Sequence, residues 1–226
     1  MARINKKEEK ETQSIIIHDD KGEILAEYPP DLVDTIKATV AKDATNEELY
    51  VFLQIANQYD LNPFMKEIWF TKMNGQVAIM TSRDGYRKLA MRKPTFKKCQ
   101  SMTVHENDEF EIEMIMGEVT NITHKFKQNE RGRLIGAYAV LKTTTNDNFV
   151  SYVDFREYDK RNSIWKNYPS SMIRKVAEND VYKLFADING LNAYESMPNR
   201  FTNEVTDEDI DTDDFETIDI EIKGDD

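Results

Sequence analysis

The stretch NQYDLNPFMKEIWFTKMNGQVAIMTSRDGYR, residues 57–87, decides the fold of this chain. Pro63 predicts the end of one helix, and the alternating residues on either side of Asn74-Gly75 predict an antiparallel hairpin, because both turn positions accept positive φ. Ser82 is a suitable N-cap for a following helix, which Pro94 ends. The stretch therefore predicts helix, hairpin and helix in immediate succession.

The flanking sequence extends this pattern in both directions. Upstream, Pro29 and Pro30 begin one amphipathic helix, and Thr45 with Glu48 forms the capping box of the next. Downstream, five β-rich segments separated by turn signals fill residues 95–154 and predict an antiparallel meander. A last helix follows, with Gly190 as its predicted cap. The order predicts an α+β fold, in which a hairpin and a meander pack with several helices around a single core.

Charge is distributed unevenly along the 226 residues, whose formal net charge is −12. Residues 203–226 contain twelve acidic residues and one basic residue, whereas residues 61–184 contain 21 bases and 15 acids. We expect a flexible arm at residues 1–27, a core at 28–198 and a disordered acidic tail at 199–226. The tail either solubilises the protein or imitates DNA, by occupying the basic groove of this protein or a basic pocket of a partner. An acidic pI does not argue against a nucleic-acid partner, because binding depends on the local cationic patch.

Several classes of site and location find no support in the sequence. There is neither a GxxxxGK[ST] nor a GxGxxG motif, and His18, His105 and His124 lack metal-site spacing. Cys99 is the single cysteine, which excludes an intrachain disulfide and fits a reducing compartment, although neighbouring lysines could lower its pKa. With no membrane-length apolar run and no apolar leader, we expect a cytoplasmic protein without membrane contact.

Basic residues are concentrated after the hairpin. Residues 83–98 contain seven bases and one acid. A solvated helix face is one interpretation, and phosphate neutralisation is the other, favoured because the hairpin supplies Lys66 and Lys72 to the same region. The seven bases are Arg83, Arg87, Lys88, Arg92, Lys93, Lys97 and Lys98.

Aromatic residues accompany these cations and a second basic group formed by Lys160, Arg161 and Lys166. Exposed rings can stack on bases, although most rings of a folded chain belong to the core. Trp69 and Phe70 must point to opposite faces of their strand, so one of them can be buried and the other exposed. The rings in question are Phe64, Trp69, Phe70, Tyr86, Trp165 and Tyr168.

Two segments resemble a known family. ANQYDLNPFMKEIWF, residues 56–70, is very similar to the segment typical of the phage RecT/Bet family of single-strand annealing proteins, and WKNYPSSMIRKVA, residues 165–177, resembles a later element of that family. The resemblance spans roughly residues 28–198, with residues 95–148 matching only by pattern. It implies a protein that coats single-stranded DNA and anneals complementary strands without ATP.

The resemblance also implies partners and site residues. It implies rings or helical filaments, an annealed duplex intermediate, a phage 5′→3′ exonuclease and contact with a host single-strand binding protein. No cofactor is implied, and Mg²⁺ would serve as a counterion for DNA. By position, Lys66 matches the motif lysine tied to DNA binding, and Arg87 the arginine after the DG turn. Arg174 and Lys183 match late-helix cations, and Trp165 the tryptophan before that helix.

Departures from the family pattern concern the late helix. Ser170, Ser171 and Val176 stand where a known phage member has basic residues, so the strength of this contact depends on other cations. The acidic tail stands where that phage member has a small helical partner-binding domain, so we do not expect an exonuclease to bind through such a domain. The cations expected to compensate are Lys160, Arg161, Lys166 and Lys175.

Other functions remain open at this stage. A plain single-strand protector would coat DNA without annealing it, and an adaptor would use the basic patch to dock acidic proteins. From a different class, a metal-dependent nuclease needs clustered carboxylates. Its conceivable ligands are Glu67, Asp84, Asp154 and Asp180, although no spacing singles them out.

Overall fold

Residues 14–18, 21–73, 75–193 and 196 are described by the computed structural model. The chain begins with two paired strands, two helices and a short 3₁₀ turn. These are β1 (Ile15–His18), β2 (Ile24–Tyr28), α1 (Pro30–Thr39), α2 (Asn46–Tyr59) and the turn Pro63–Met65. A hairpin, a helix, five strands and three helices follow: β3 (Ile68–Met73), β4 (Gln76–Thr81), α3 (Arg83–Met91), β5 (Phe96–His105), β6 (Glu109–Ile115), β7 (Glu118–Lys125), β8 (Leu134–Thr143), β9 (Asn148–Asp154), α4 (Phe155–Tyr158), α5 (Ser163–Asn167) and α6 (Pro169–Ala186).

Local signals account for the helices around the central stretch. The capping box of α2 is complete: the Glu48 amide donates to Thr45 Oγ1 at 3.2 Å, and the Thr45 amide donates to Glu48 Oε2 at 2.7 Å. Ser82 caps α3, as predicted, by accepting from the Gly85 amide at 3.0 Å. Helix α6 ends at Asp187, whose left-handed φ of 54° terminates it, so the prediction that Gly190 caps this helix was wrong.

One three-stranded sheet and an inserted two-stranded hairpin form the second half of the fold. Strands β5, β8 and β9 make one antiparallel sheet in that order, while β6 and β7 pair only with each other among the described strands. The α+β class is confirmed. The insertion of β6–β7 between the paired strands β5 and β8 is a detail of strand order that turn signals alone do not indicate.

The core lies between this sheet and the helices. Ala137, Ala139 and Leu141 of β8 face inward and are fully buried, while alternate residues of the same strand face outward. Helix α6 packs on the inner face through Ile173 and Val176. The sheet therefore has a helix-covered inner face and an outer face.

Hairpin β6–β7 lies over one end of the outer face. Phe110 stacks on Tyr138 with ring centroids 5.2 Å apart. Beneath it, the fully buried Asp108 carboxylate binds His124 at 3.0 Å and Arg131 at 2.7 Å. Burial alone would raise the pKa of Asp108, but hydrogen bonds from Arg131 and His124 hold this pKa well below its ordinary value.

The described part of the predicted arm differs from expectation. Ile15 and Ile17 of β1 are 7% and 0% exposed and belong to the hydrophobic core, so β1 and β2 form part of the folded unit. Residues 1–13 and the acidic tail beyond residue 196 lie outside the described residues. Within the described part of the chain, no helix combines the length and the apolar character needed to cross a membrane.

Candidate nucleic-acid interface

The LNPFMKE loop is fastened to the first turn of α3. Asn62 Oδ1 accepts from the Phe64 amide at 2.9 Å and so holds the 3₁₀ turn, after which Lys66 takes a left-handed φ of 55°. The backbone oxygen of Glu67 then accepts from the Ser82 amide at 3.1 Å. A Cβ on Gly85 would lie 2.3 Å from that oxygen, so only glycine fits. Lys66 is therefore fixed beside the start of α3.

Helix α3 presents two arginines side by side. Tyr86, Leu89 and Ala90 are buried, whereas Arg83 and Arg87, one helical turn apart, lie on the outward side. Arg87 is exposed and forms no ion pair with any described residue. Among the predicted cations of α3 and α6, Arg87 is therefore the one most available to a phosphate.

Helix α6 contributes to the same surface through Glu178. Arg83 lies 2.9 Å from Asp84 and 3.7 Å from Glu178. Burial acts to lower the pKa of Arg83, but the two carboxylates outweigh it, and the pKa is raised. Arg174 precedes Glu178 by one turn of α6 and shares its side of the helix. Glu178 of α6 thus contacts a cation of α3, and Arg174 lies on the same side of α6.

Lys183 and Lys175, the other predicted cations of α6, are partly buried. The Lys183 ammonium lies 5.1 Å from the centre of the Tyr86 ring, a cation–π contact between the two helices. Burial lowers the pKa of Lys183, although Asp180 acts in the opposite direction. Lys183 therefore supports the packing of α3 on α6 in addition to adding charge.

Three predicted or neighbouring cations are already paired with carboxylates. Lys72 lies 2.9 Å from Glu48, and Lys88 lies 2.6 Å from Glu67. Arg92 pairs with Asp60 and also donates to the Tyr59 carbonyl. A phosphate would have to displace these acids, so the geometry favours structural roles for Lys72 and Lys88. The partners are distant in sequence, and no local pattern reveals them.

The aromatic residues separate into buried and exposed groups. Trp165 is 1% exposed and packs against Phe155 with ring centroids 5.9 Å apart. It presents no face to a base, which corrects the expectation that Trp165 contacts DNA directly. Phe70 and Tyr86 are also buried, while Trp69 is half-buried. The rings with large exposed areas among these candidates are Phe64, 52% exposed, and Tyr168, 42% exposed.

Lys160 and Arg161 occupy the turn between α4 and α5. Arg161 is exposed, has a left-handed φ of 58°, and its amide donates to Asp159 Oδ1 at 2.9 Å. Helix α5 packs on α6, and α4 packs on β8 and β9. The structure thus places Lys66 beside the start of α3, Arg83 and Arg87 on α3, and Arg174 on α6, which packs on α3. It places Lys160 and Arg161 on a separate turn.

Three of the carboxylates considered as nuclease ligands form ion pairs with nearby cations. Glu67 binds Lys88, Asp84 binds Arg83, and Asp154 binds Arg156 at 2.7 Å. No three His, Cys, Asp or Glu side chains within the described ranges are grouped to hold a metal ion. Burial raises the pKa of Cys99 to about 11, contrary to the lowering expected from nearby lysines.

Comparisons with known proteins add to this geometry. The model of the RecT family matches residues 26–213. The Recombination protein bet of Escherichia phage lambda is 25% identical over 152 residues, which are 66% of this chain and 51% of that protein. The chain thus spans about half the length of this relative.

Proposed function

Since this chain belongs to the RecT family, we propose that it binds single-stranded DNA and anneals complementary strands in phage-type recombination, without ATP and without catalysing a covalent reaction. The observation that carries the proposal is the family match over residues 26–213, which includes both the LNPFMKE loop and α6. The name of the phage lambda relative, a recombination protein, agrees with it.

The surface formed by Lys66, Arg83, Arg87 and Arg174, here called the α3–α6 surface, holds the phosphates of one strand. Arg87 makes the first contact because it is exposed and has no acidic partner among the described residues. Backbone charge rather than base identity then determines affinity, so sequence preference is weak. With its phosphates held, the strand leaves its base edges open to a complementary strand.

Pairing on the protein proceeds without nucleotide hydrolysis if the annealed duplex intermediate binds more tightly than either strand. Neighbouring subunits in a ring or helical filament extend the surface along the DNA. We also propose a phage 5′→3′ exonuclease, which would produce single strands, and a host single-strand binding protein as partners. No cofactor is required, and Mg²⁺ assists only as a counterion to DNA.

The test is an annealing assay with two complementary oligonucleotides, without nucleotide. We expect the wild-type chain to accelerate duplex formation and the Lys66→Ala, Arg87→Ala double variant to lose most of that acceleration while keeping its fold by circular dichroism. Normal annealing by the double variant would refute the site. Binding by the wild-type chain without faster annealing would identify a single-strand protector instead.

A further inference from the structure

A groove of about 460 Å³ lies on the outer face of the β5–β8–β9 sheet, the face opposite α6. On the sheet side, Met102, Val140 and Val150 form an apolar stretch, flanked by Gln100 and Tyr138. Lys142 and Asn148 lie at one end, and β7 forms a wall. None of these residues belongs to the α3–α6 surface, and the contacts described above leave the groove without a function.

The wall of the groove is a strand edge. Val119, Thr120, Asn121 and Ile122 line the groove in succession. Because consecutive side chains of a strand point to opposite faces, four consecutive lining residues mean that the edge of β7 borders the groove. The other edge is occupied by β6, and no further described strand pairs with β7. Open edges of this kind accept an added strand.

The end of the groove is cationic. Lys142 lies directly opposite Lys98 in the β5–β8 register, and both side chains are exposed. Neither forms an ion pair with a described residue. Like charges directly opposite each other destabilise a sheet, and an anion placed between them removes that cost. The glutamates of β6 alternate with Phe110 and Ile112, which face the sheet, so Glu111 and Glu113 point away from it.

We propose that this groove takes an extended strand with alternating apolar and acidic side chains, and that the occupant is IDIEI, residues 218–222 of this same chain. Its three isoleucines fall on one side of a strand and fit the apolar stretch of Met102, Val140 and Val150, while Asp219 and Glu221 fall on the other. The long side chains of Lys98 and Lys142 reach these acids. The surrounding residues 203–226, with twelve acids and one base, strengthen the attraction.

The length of the chain permits this docking. Twenty-one residues separate Ser196, the last described position, from Ile218. At roughly 3.3 Å per residue they span on the order of 70 Å when extended. A folded unit of this size has a diameter of roughly 45 Å. Residues 218–222 can therefore reach the groove of their own subunit.

Disulfide trapping in the full-length chain tests the proposal. Thr120→Cys on the groove wall is combined with Asp219→Cys, and the matched control combines Asp31→Cys, on exposed α1, with Asp219→Cys. Each pair is made with native Cys99 and again with Cys99→Ser. The result then depends neither on disulfides formed by Cys99 nor on the loss of its thiol. Under mild oxidation without DNA, we expect the groove pair to cross-link about tenfold faster than the control, because docking raises the local concentration.

Two further variants separate docking from chance encounter. Lys98→Glu with Lys142→Glu should slow the groove cross-link about threefold or more at low salt, since it reverses the charge at the mouth. Ile220→Ser should slow it as well, because the apolar contact is lost. A cross-linked product of monomer size supports docking within the subunit, and cross-linking that yields only dimers would overturn it.

Equal cross-linking rates for the groove pair and the control would overturn the proposal, and so would a rate indifferent to the charge reversal. A groove that holds DNA or another peptide would give this same equality. The inference does not rest on the proposed function, since no DNA enters the experiment. Its failure would leave the annealing assay unaffected.

Discussion

Arg87→Ala should reduce the salt dependence of single-stranded DNA binding. Arg87 is exposed on α3 and forms no ion pair with a described residue, so its removal takes away a phosphate contact without leaving a carboxylate unpaired. Lys72→Ala or Lys88→Ala would instead leave Glu48 or Glu67 without its ion-pair partner. A loss of DNA binding in those variants could not be separated from a change in structure. Arg87 is therefore the informative position.

The expected size follows from counterion release. Each phosphate neutralised on a single strand contributes about 0.7 to the slope of log affinity against log salt concentration. Arg87→Ala should lower this slope by about 0.7 per subunit bound. When NaCl is raised from about 50 to about 200 mM, the factor by which affinity falls should be about 2.6 times smaller for the variant than for the wild-type chain. Fluorescence anisotropy of a labelled oligothymidine across this salt series measures both quantities.

Lys127→Ala is the matched control. Lys127 follows β7, is 80% exposed, and lies 3.5 Å from Glu130, so the variant changes the net charge by the same amount away from α3. We expect its slope to equal that of the wild-type chain. An unchanged slope for Arg87→Ala, or an equal decrease for Lys127→Ala, would refute the assignment of Arg87 to a phosphate and favour a general effect of net charge.

Three further predictions concern stability and reactivity. Gly85→Ala should destabilise the fold by roughly 1–3 kcal/mol, because its Cβ would meet Glu67 O; an unchanged melting temperature would contradict this. The pKa of Asp108 is depressed in the fold, so its stabilisation is present above about pH 4 and lost as pH falls further. Asp108→Asn should therefore lower the free energy of unfolding at pH 7. It should also reduce the decrease of this free energy at acidic pH, measured by denaturant titrations at a series of pH values. A decrease as steep as that of the wild-type chain would contradict the prediction. Cys99 should react with a thiol reagent at pH 8 about tenfold more slowly when folded than in guanidinium, and equal rates would exclude its burial.

Local sequence signals predicted the elements that local chemistry determines. The Thr45–Glu48 capping box, the Ser82 cap and the β3–β4 hairpin each depend on residues within a few positions of one another. The α+β class followed from the order of such elements. Helical spacing alone accounts for Arg83 and Arg87 lying on one side of α3.

Contacts between distant segments were not accessible in this way. The Lys88–Glu67 ion pair and the position of Glu178 beside Arg83 depend on how α3 packs on the loop before β3 and on α6. The burial of Trp165 depends on its contact with Phe155, and a short amphipathic helix does not reveal which of its sides faces the core. The sequence therefore predicted which cations form the site, whereas the carboxylates that pair with them were found only in the structure.

Site-specific photo-cross-linking tests the central claim most directly. Met91, 54% exposed, lies one turn after Arg87 on α3, and Met114, 60% exposed, lies on β6. Each is replaced by a photoreactive benzophenone amino acid, and labelled single-stranded DNA is irradiated with each variant. We predict strong cross-linking from position 91 and little from position 114. Equal yields, or a higher yield from position 114, would contradict the claim that the α3–α6 surface holds the unpaired strand.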